Sequence, residues 1–178
     1  MDLTEKLVTS RQVFKGRILD VRVDTVSLPN GRQSTREIVH HPGGVGILAL
    51  DGENNVLTVT QYRYAYGKLL LEIPAGKLEP GEDPREAAIR ELREETGASA
   101  GRFEPLGEIY PSPGYCDEII HLYLARDLTF GDTDPDEDEF LTLWRIPFPQ
   151  MVEKVLSGEV PDAKTVAAVL KAKVLLGL

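Results

Sequence analysis

The sequence predicts a mixed α/β protein, with a mixed β-sheet packed between helices and a small antiparallel β unit in front of it. Three observations support this prediction. Residues 17–28 alternate apolar and polar side chains, with the period of two that is typical of a half-buried strand. Apolar runs at 45–50 and 56–60 flank a turn-rich segment, which predicts a hairpin of core strands. A helix at 84–96 is followed by further strands and helices, and this order is typical of a sheet covered by helices.

The N-terminal region, residues 1–42, is predicted to be a β subdomain that precedes the main domain at 43–178. After the first strand comes the turn sequence Pro29-Asn30-Gly31, and a second strand is predicted at 33–41. We expect its apolar side chains to pack together, namely Phe14, Leu19, Val21, Val23 and Val39. Two or three strands cannot bury enough apolar surface alone. This subdomain therefore needs a partner, either the main domain or another subunit.

The main domain continues with an apolar strand from Leu69 to Ile73, which stops at Pro74-Ala75-Gly76 and leads into a glycine-containing loop. Beyond the helix at 84–96, the remaining candidate strands lie at 103–110, 119–125 and 140–146, and helical segments lie near 149–156 and 162–176.

Both ends of the helix at 84–96 carry strong sequence signals. Asp83 suits the N-cap, Pro84 suits the first helical position, and Glu86 lies three residues after the cap, as in a capping box. Gly97 follows where a left-handed residue would end the helix.

Three acids of this helix, Glu91, Glu94 and Glu95, share one face because of their spacing. Like charges at such spacings cost roughly 0.2–0.5 kcal/mol per pair, and a hard divalent cation would relieve the repulsion. Carboxylate oxygens favour Mg²⁺ or Mn²⁺ over zinc. The alternative is a solvated acidic face with Arg90 and Arg93 as partial ion-pair partners.

Composition narrows the classes of function. The net charge of −9 and the isoelectric point near 4.9 argue against binding to nucleic acid, which depends on displacement of counterions by Lys and Arg. The single Cys116 cannot form an intrachain disulfide, and the first residues lack the pattern of a signal peptide. No apolar run approaches the roughly 18 residues that span a bilayer. We expect a soluble, cytoplasmic protein without nucleic-acid or membrane partners.

A longer pattern surrounds the helix acids. It comprises Gly76, Glu82, Arg90-Glu91-Leu92, Glu94-Glu95 and Gly97-Ala98. This pattern resembles the Nudix box at every fixed position. The resemblance implies an α/β/α sandwich that hydrolyses nucleoside diphosphates linked to another group, with divalent metal held against the pyrophosphate by a loop–helix–loop motif.

The resemblance also implies roles for individual residues. Glu91 and Glu95 would bind the metal, joined by Glu94 and by the backbone carbonyl of Ala75. A mainly structural role is implied for Glu82, which would pair with Arg90 and brace the loop. Gly76 and Gly97 would be structural members of the motif.

Flanking sequences resemble the ADP-ribose pyrophosphatase branch of that family. They are Arg36-Glu37-Ile38-Val39 with His41-Pro42-Gly43, Gln61-Tyr62-Arg63, Leu71-Glu72-Ile73-Pro74-Ala75-Gly76, Tyr110-Pro111-Ser112-Pro113-Gly114 and Asp162-Ala163-Lys164-Thr165. The resemblance implies hydrolysis of ADP-ribose to AMP and ribose 5-phosphate. Alternatives are a pyrophosphatase for GDP-mannose or another sugar nucleotide, and a regulator that binds ADP-ribose without hydrolysing it.

Candidate substrate-binding residues lie in these flanking sequences. Arg36 and Arg63 are candidates because the planar guanidinium group can bind phosphate oxygens in a bidentate manner; either could instead form a strand-surface pair with an acid such as Glu37. Glu37 and Glu72 are assigned to the substrate site with these arginines. Phe14 could stack on adenine, or it could belong to the core.

The water-activating base is placed in the acidic segment 132–140, because helix acids that bind metal are poor bases. The resemblance implies a loop acid at this point in the chain, which Glu137 matches as first choice and Glu139 as second. Glu139 could instead bind metal or be solvated, and Glu94 is the candidate if neither acts. A homodimer is predicted because the small N-terminal sheet needs a partner and because the family often exchanges this unit between subunits. Arg36 would then reach the partner's site.

Overall fold

The computed structural model describes residues 2–133 and 140–177, and it confirms the predicted mixed α/β class. The chain divides into two compact units. The first comprises Met1–Gly43 together with Tyr110–Ile119. The second comprises Gly44–Ile109 and Ile120–Leu178.

The first unit contains a three-stranded antiparallel sheet in the order β1-β2-β3. Its strands are β1 (Lys6–Lys15), β2 (Asp20–Ser27) and β3 (Gln33–His40). The two predicted strands are confirmed as β2 and β3, whereas the sequence analysis gives no bounds for β1. Every residue of β1 is exposed.

The prediction that the apolar side chains of this sheet form a core is wrong for two of its members. The side chains of Phe14 and Leu19 are 57% and 39% exposed. Among the described residues of the first unit, Val26 is the one apolar residue that is buried. A three-stranded sheet has two faces, and the described part of this unit contains no helix to cover either of them.

Residues 110–119 join the first unit through β3, which extends it beyond the N-terminal segment. Val39 donates its N–H to the carbonyl of Tyr115 at 2.7 Å, and its own carbonyl accepts from the N–H of Asp117 at 3.1 Å. The Asp117 carboxylate in turn contacts Nδ1 of His40 at 2.5 Å and accepts from the N–H of His41 at 2.9 Å.

The second unit contains a mixed sheet of seven strands with a central path β10-β5-β4-β9-β8. The strands are β4 (Gly44–Leu50), β5 (Asn55–Arg63), β6 (Lys68–Glu72), β7 (Ala75–Lys77), β8 (Ala98–Ile109), β9 (Ile120–Phe130) and β10 (Leu141–Pro147). Off this path, β6 pairs with β5 and β7 pairs with β4. The pairing of β4 with β9 is parallel and the others are antiparallel, which makes the sheet mixed.

Helices cover both faces of this sheet. They are α1 (Pro84–Thr96), α2 (Phe148–Leu156) and α3 (Ala163–Leu176). Alternate side chains of the fully buried β4 enter different cores, as the period of a strand requires. Leu48 packs in the cluster of α2 and α3, and Ile47 packs with Leu92 of α1. The α/β/α arrangement is therefore confirmed, and it fixes α1 on one face of the central strand.

The helix α1 has the predicted bounds because its caps are local. The Asp83 carboxylate accepts hydrogen bonds from the N–H groups of Arg85 and Glu86. Gly97 adopts a φ of 68° and donates to the carbonyl of Arg93. Among the described residues, no helix combines the length and apolarity needed to cross a membrane.

Candidate active site

The junction between β6 and α1 is fixed by backbone contacts with the central strand. The Pro74 carbonyl accepts a hydrogen bond of 2.8 Å from the N–H of Ile47. Immediately afterwards, β7 pairs with β4, so that Ala75 lies opposite Gly46 and Gly76 lies opposite Val45. The loop that follows β7 therefore begins from a rigid part of the sheet.

Gly76 lies directly against the carboxylate of Glu91. A Cβ atom at position 76 would lie 1.8 Å from Oε1 of Glu91, which no side chain can occupy. Gly44 shows the same closeness on the other side, because its Cβ would lie 2.8 Å from the Gly76 carbonyl oxygen. The two glycines therefore allow the main chain of β7 to pack between β4 and a buried acid of α1.

The other helix acids differ in their surroundings. Glu95 is 6% exposed, and its Oε2 accepts a hydrogen bond of 3.1 Å from the N–H of Ala75. Glu91 is 8% exposed, whereas the side chain of Glu94 is 31% exposed. Two buried carboxylates and one half-buried carboxylate thus lie on the helix face that carries the glycine-containing loop.

Arg90 links these acids to the loop. Its Nε and Nη2 donate to the Glu82 carboxylate at 3.1 and 3.2 Å, which is the ion pair that the Nudix resemblance implies. Its Nη1 donates to both Glu91 and Glu94 at 2.9 Å. The hydrogen bonds with Glu82 raise the pKa of Arg90, and burial opposes this shift. The same contact lowers the pKa of Glu82.

Arg90 makes more contacts with the helix acids than the metal-site prediction assigns to it. The guanidinium group contacts two of the three acids, which the sequence predicts only for the alternative of a solvated acidic face. The spacing of four residues could have indicated the contact with Glu94, because such residues are neighbours on a helix surface, whereas the contact with the adjacent Glu91 could not be predicted from spacing.

The donor set suits a hard divalent cation. It consists of carboxylate oxygens, which Mg²⁺ and Mn²⁺ prefer and zinc does not. In residues 2–133 and 140–177, no three acidic, His or Cys side chains are already arranged as a metal centre. A bound cation would share Glu91 and Glu94 with Arg90.

A second charged cluster lies at the end of β6, just before Pro74. It consists of Arg63, Glu72, Asp162 and Lys164. Glu72, 2% exposed, accepts hydrogen bonds of 2.7 and 2.6 Å from Nε and Nη2 of Arg63. Lys164 of α3 also donates to Glu72, and it donates to Asp162 at 3.0 Å. Two cations and two carboxylates therefore alternate, which compensates the cost of burying Glu72.

The electrostatics of this cluster extend to the helix acids. Burial alone would raise the pKa of Glu72, but the hydrogen bonds and charges of Arg63 and Lys164 lower it overall. The pKa of Arg63 is raised, first by its hydrogen bonds with Glu72 and then by the charges of Asp162 and Glu95. Arg63 therefore experiences the field of both clusters.

Comparison with known families identifies the family of this chain. Residues 40–169, more than half of the chain, match the NUDIX domain. The chain belongs to the Nudix family. Residues 5–39 match a second family, the nucleoside diphosphate sugar hydrolase N-terminal domain. The expectation of a Nudix hydrolase is thereby confirmed.

Relatives of this Nudix chain carry different names. It is 46% identical over 167 residues to the methanol dehydrogenase activator of Bacillus methanolicus, covering 93% of this chain and 90% of that protein. It is 43% identical over 169 residues to the ADP-ribose pyrophosphatase of Bacillus subtilis (strain 168), covering 94% of this chain and 91% of that protein. A crystal structure of an ADP compounds hydrolase is 23% identical to this chain with a TM-score of 0.87. The match covers 99% of this chain and 97% of that one, and it supports the fold.

The remaining substrate candidates lie in the first unit. Arg36 donates to both carboxylate oxygens of Glu5 and to the Thr35 carbonyl. Glu37 is exposed on β3, where it lies opposite Val23 of β2. Phe14 is exposed on β1. The structure thus places these three side chains on the N-terminal sheet and Arg63 with Glu72 in the Nudix unit.

The base candidates Glu137 and Glu139 lie outside the described residues. The sequence predicts a substrate-binding role for Glu72 but none for Lys164, which donates a hydrogen bond to Glu72. Its motif, Asp162-Ala163-Lys164-Thr165, is one of the flanking resemblances and was the available signal.

Proposed function

We propose that this Nudix hydrolase cleaves the pyrophosphate bond of ADP-ribose, or of a related nucleoside diphosphate sugar, in a metal-dependent reaction. The products from ADP-ribose are AMP and ribose 5-phosphate. The observation that carries the proposal is the contact of the Gly76 main chain with the buried Glu91 carboxylate, which joins the loop and the helix acids in one site. The N-terminal domain match and the Bacillus subtilis relative favour a nucleoside diphosphate sugar as the substrate.

The metal in this proposal is Mg²⁺ or Mn²⁺. Glu91, Glu94, Glu95 and the Ala75 carbonyl hold it, and Glu82 positions Arg90. A metal bound there supplies positive charge to the pyrophosphate and lowers the pKa of a bound water. The Ala75 N–H keeps the Glu95 carboxylate oriented toward the loop. The buried acids stay ionised more readily when a cation is close.

Arg63 and Arg36 bind phosphate oxygens in this proposal. Arg63 is well placed because Glu72 fixes its guanidinium plane while 40% of its side chain remains exposed. Glu72 orients Arg63. Glu37 contributes to substrate binding, and Phe14 stacks on the adenine. Glu137 is the water-activating base, with Glu139 as the second choice and Glu94 if neither acts.

The assembly in this proposal is a cytoplasmic homodimer formed through the N-terminal sheet. Exposed apolar side chains on β1 support it, namely Leu7 at 63%, Val8 at 47%, Val13 at 45% and Phe14 at 57%. Several exposed apolar side chains on one strand favour a protein partner. The single Cys116 supports a reducing compartment, and the charge of −9 argues against a nucleic-acid partner.

A substrate panel tests the proposed function. The purified chain is assayed with ADP-ribose, ADP-glucose, GDP-mannose, NADH and diadenosine polyphosphates, each with Mg²⁺, with Mn²⁺ and with a chelator. Products are separated by ion-exchange chromatography. We expect metal-dependent release of AMP and ribose 5-phosphate, with the highest kcat/KM for ADP-ribose. A higher kcat/KM for GDP-mannose than for ADP-ribose would make GDP-mannose the preferred substrate. The absence of any hydrolysis would contradict the proposal.

A further inference from the structure

Lys164 compensates the charge of Glu72, but the proposed reaction gives it no role. Its side chain is 10% exposed, and its ammonium group donates to both Glu72 and Asp162. Burial of a lysine is costly unless its charge is paired, and here two carboxylates pair with the ammonium group. Both of its partners are carboxylates, and one of them orients Arg63.

The sheet leaves room for the stem of Lys164. A Cβ atom at Gly46 of the central strand would lie 3.6 Å from Cδ of Lys164 and 3.3 Å from Cδ1 of Ile73. The aliphatic part of the lysine therefore crosses β4 where no side chain projects. This packing holds the ammonium group beside Glu72 at the end of β6.

The first turn of α3 is tied to the same strand end. Asp162 caps α3 by accepting from the N–H of Thr165 at 3.0 Å. The hydroxyl oxygen of Thr165, fully buried, accepts a hydrogen bond of 2.9 Å from the N–H of Ile73. Helix α3 thus contacts two consecutive residues, Glu72 and Ile73, just before the loop that carries Ala75 and Gly76.

The alternation of charges suggests what Lys164 does for Arg63. The Glu72 carboxylate has two cationic partners, one of which is partly exposed and one of which is buried. When Arg63 turns part of its hydrogen-bonding capacity to a phosphate, Lys164 still compensates the buried charge of Glu72. Without Lys164, Arg63 alone would compensate the buried negative charge of Glu72. Glu72 would then hold the guanidinium group of Arg63 more tightly, which would change its orientation.

We propose that Lys164 is a positioning residue that acts through Glu72 to set the orientation of Arg63 toward the diphosphate of the substrate. The proposal rests on the proposed function, because it takes Arg63 as a phosphate-binding residue. It predicts that Lys164 matters for substrate binding only while Arg63 is present.

A double-mutant cycle tests this dependence. Steady-state hydrolysis of ADP-ribose with Mg²⁺ is measured for the wild type, Arg63→Ala, Lys164→Met and the double variant. We expect Lys164→Met to lower kcat/KM about tenfold, mainly through KM, as for loss of a positioned charge-assisted contact. The double variant should match Arg63→Ala within about twofold, since the effect of Lys164 passes through Arg63. Multiplication of the two losses, or a wild-type kcat/KM for Lys164→Met, would overturn the proposal.

Two further variants separate positioning from stability. Lys164→Arg keeps a cation and should have a KM close to that of the wild type. A side chain that only fills space would not be replaced better by Arg than by Met. Lys171→Met removes another lysine of α3, one that donates to the Leu106 carbonyl at 2.8 Å on β8. It should lower Tm without changing KM. An increase in KM for Lys171→Met as large as that for Lys164→Met would overturn the proposal.

A binding measurement keeps the test independent of turnover. Isothermal titration of ADP-ribose without divalent metal is performed on the four proteins of the cycle, and Lys164→Gln replaces Lys164→Met if the latter does not fold. The same dependence on Arg63 is expected in Kd, and independent losses in Kd would contradict it. If the wild type hydrolyses none of the panel substrates, the proposed function fails. If it does hydrolyse ADP-ribose and the losses multiply, only the role of Lys164 fails.

Discussion

Strands β1 and β4 both contain apolar residues, but β1 is exposed at all positions and β4 is buried at all positions. The difference lies in what covers them. Helices contribute to the cores on both faces of β4, whereas β1 belongs to a unit in which no helix is described. Apolar composition therefore indicates a need for burial, and the covering element decides whether the chain meets that need by itself.

The two regions lead to different predictions. In the Nudix unit, buried contacts fix a glycine and two acids beside each other, so small changes there should affect chemistry and stability strongly. In the N-terminal unit, the exposed apolar side chains of β1 should contribute little to the stability of a monomer. They should matter for assembly and for the proposed stacking of Phe14 on adenine.

The largest effect is expected from the helix acids. Glu95→Gln keeps the shape of a buried side chain that accepts from the N–H of Ala75, but it removes the charge. We expect kcat for ADP-ribose to fall by about a hundredfold or more, with Tm close to that of the wild type. Steady-state kinetics in Mg²⁺ and circular dichroism measure the two quantities.

The control for this variant is Glu86→Gln. Glu86 lies in the first turn of the same helix with a side chain that is 68% exposed. Its kinetics should remain within about twofold of the wild type, since it is a surface substitution. Near-normal turnover of Glu95→Gln would contradict the proposed metal site.

The next effect concerns the contact between loop and helix. Gly76→Ala places a methyl group 1.8 Å from Oε1 of Glu91, so that the Glu91 carboxylate must leave its position beside the loop. We expect the free energy of unfolding to fall by about 1–3 kcal/mol and kcat to fall with it. Gly52→Ala is the matched control, because a Cβ there meets no atom within 4 Å. Equal urea midpoints for the two variants would show that the loop adapts freely.

A third prediction addresses the two strands directly. Leu48→Ala removes a fully buried side chain from β4 and should lower the free energy of unfolding by about 2–5 kcal/mol. Leu7→Ala on β1, where the side chain is 63% exposed, should change it by less than about 0.5 kcal/mol if the protein is a monomer. Urea denaturation measures both variants.

The same strand also tests the proposed homodimer. Leu7→Asp places a charge on the exposed apolar strand and should convert a dimer into a monomer, as light scattering at micromolar concentration would show. A monomeric wild type with full activity would refute the dimer, and the exposure of β1 would then need another explanation.

Local signals account for the parts of the structure that the sequence predicts well. The bounds of α1 follow from Asp83, Pro84 and Gly97, which lie beside the helix that they cap. Strand β7 is only three residues long and follows a proline, so no pattern of alternation could reveal it. Its position depends on pairing with β4, which the sequence does not specify.

Long-range contacts account for what the sequence cannot predict about the site. Lys164 and Glu72 are 92 residues apart. Both lie in flanking sequences that carry the family resemblance, but neither sequence indicates that the two side chains share a hydrogen bond. The contact of Arg90 with Glu94 could be predicted, because the two residues are four apart on the same helix. The helix acids could therefore be found from spacing, whereas the cluster around Glu72 required the fold.

The smallest expected effect is the pH dependence that Glu72 adds to stability. Its pKa in the folded chain lies below the ordinary value of 4.5, because Arg63 and Lys164 outweigh the effect of burial. A group with a lowered pKa contributes stability that is present above its unfolded pKa and is lost as the pH falls through the folded pKa. Glu72→Gln should therefore lower Tm at pH 7, and the difference from the wild type should shrink as the pH is lowered below about 4.5.

Glu153→Gln on the exposed side of α2 is the control, and its Tm should follow the wild type across the same range. Thermal denaturation followed by circular dichroism between pH 3 and pH 8, approximate limits chosen to bracket carboxylate titration, measures these differences. A Tm difference between the wild type and Glu72→Gln that stays constant over this range would mean that the ionisation of Glu72 is not coupled to folding. Packing around Gly46, rather than charge, would then hold Arg63, Glu72 and Lys164 together.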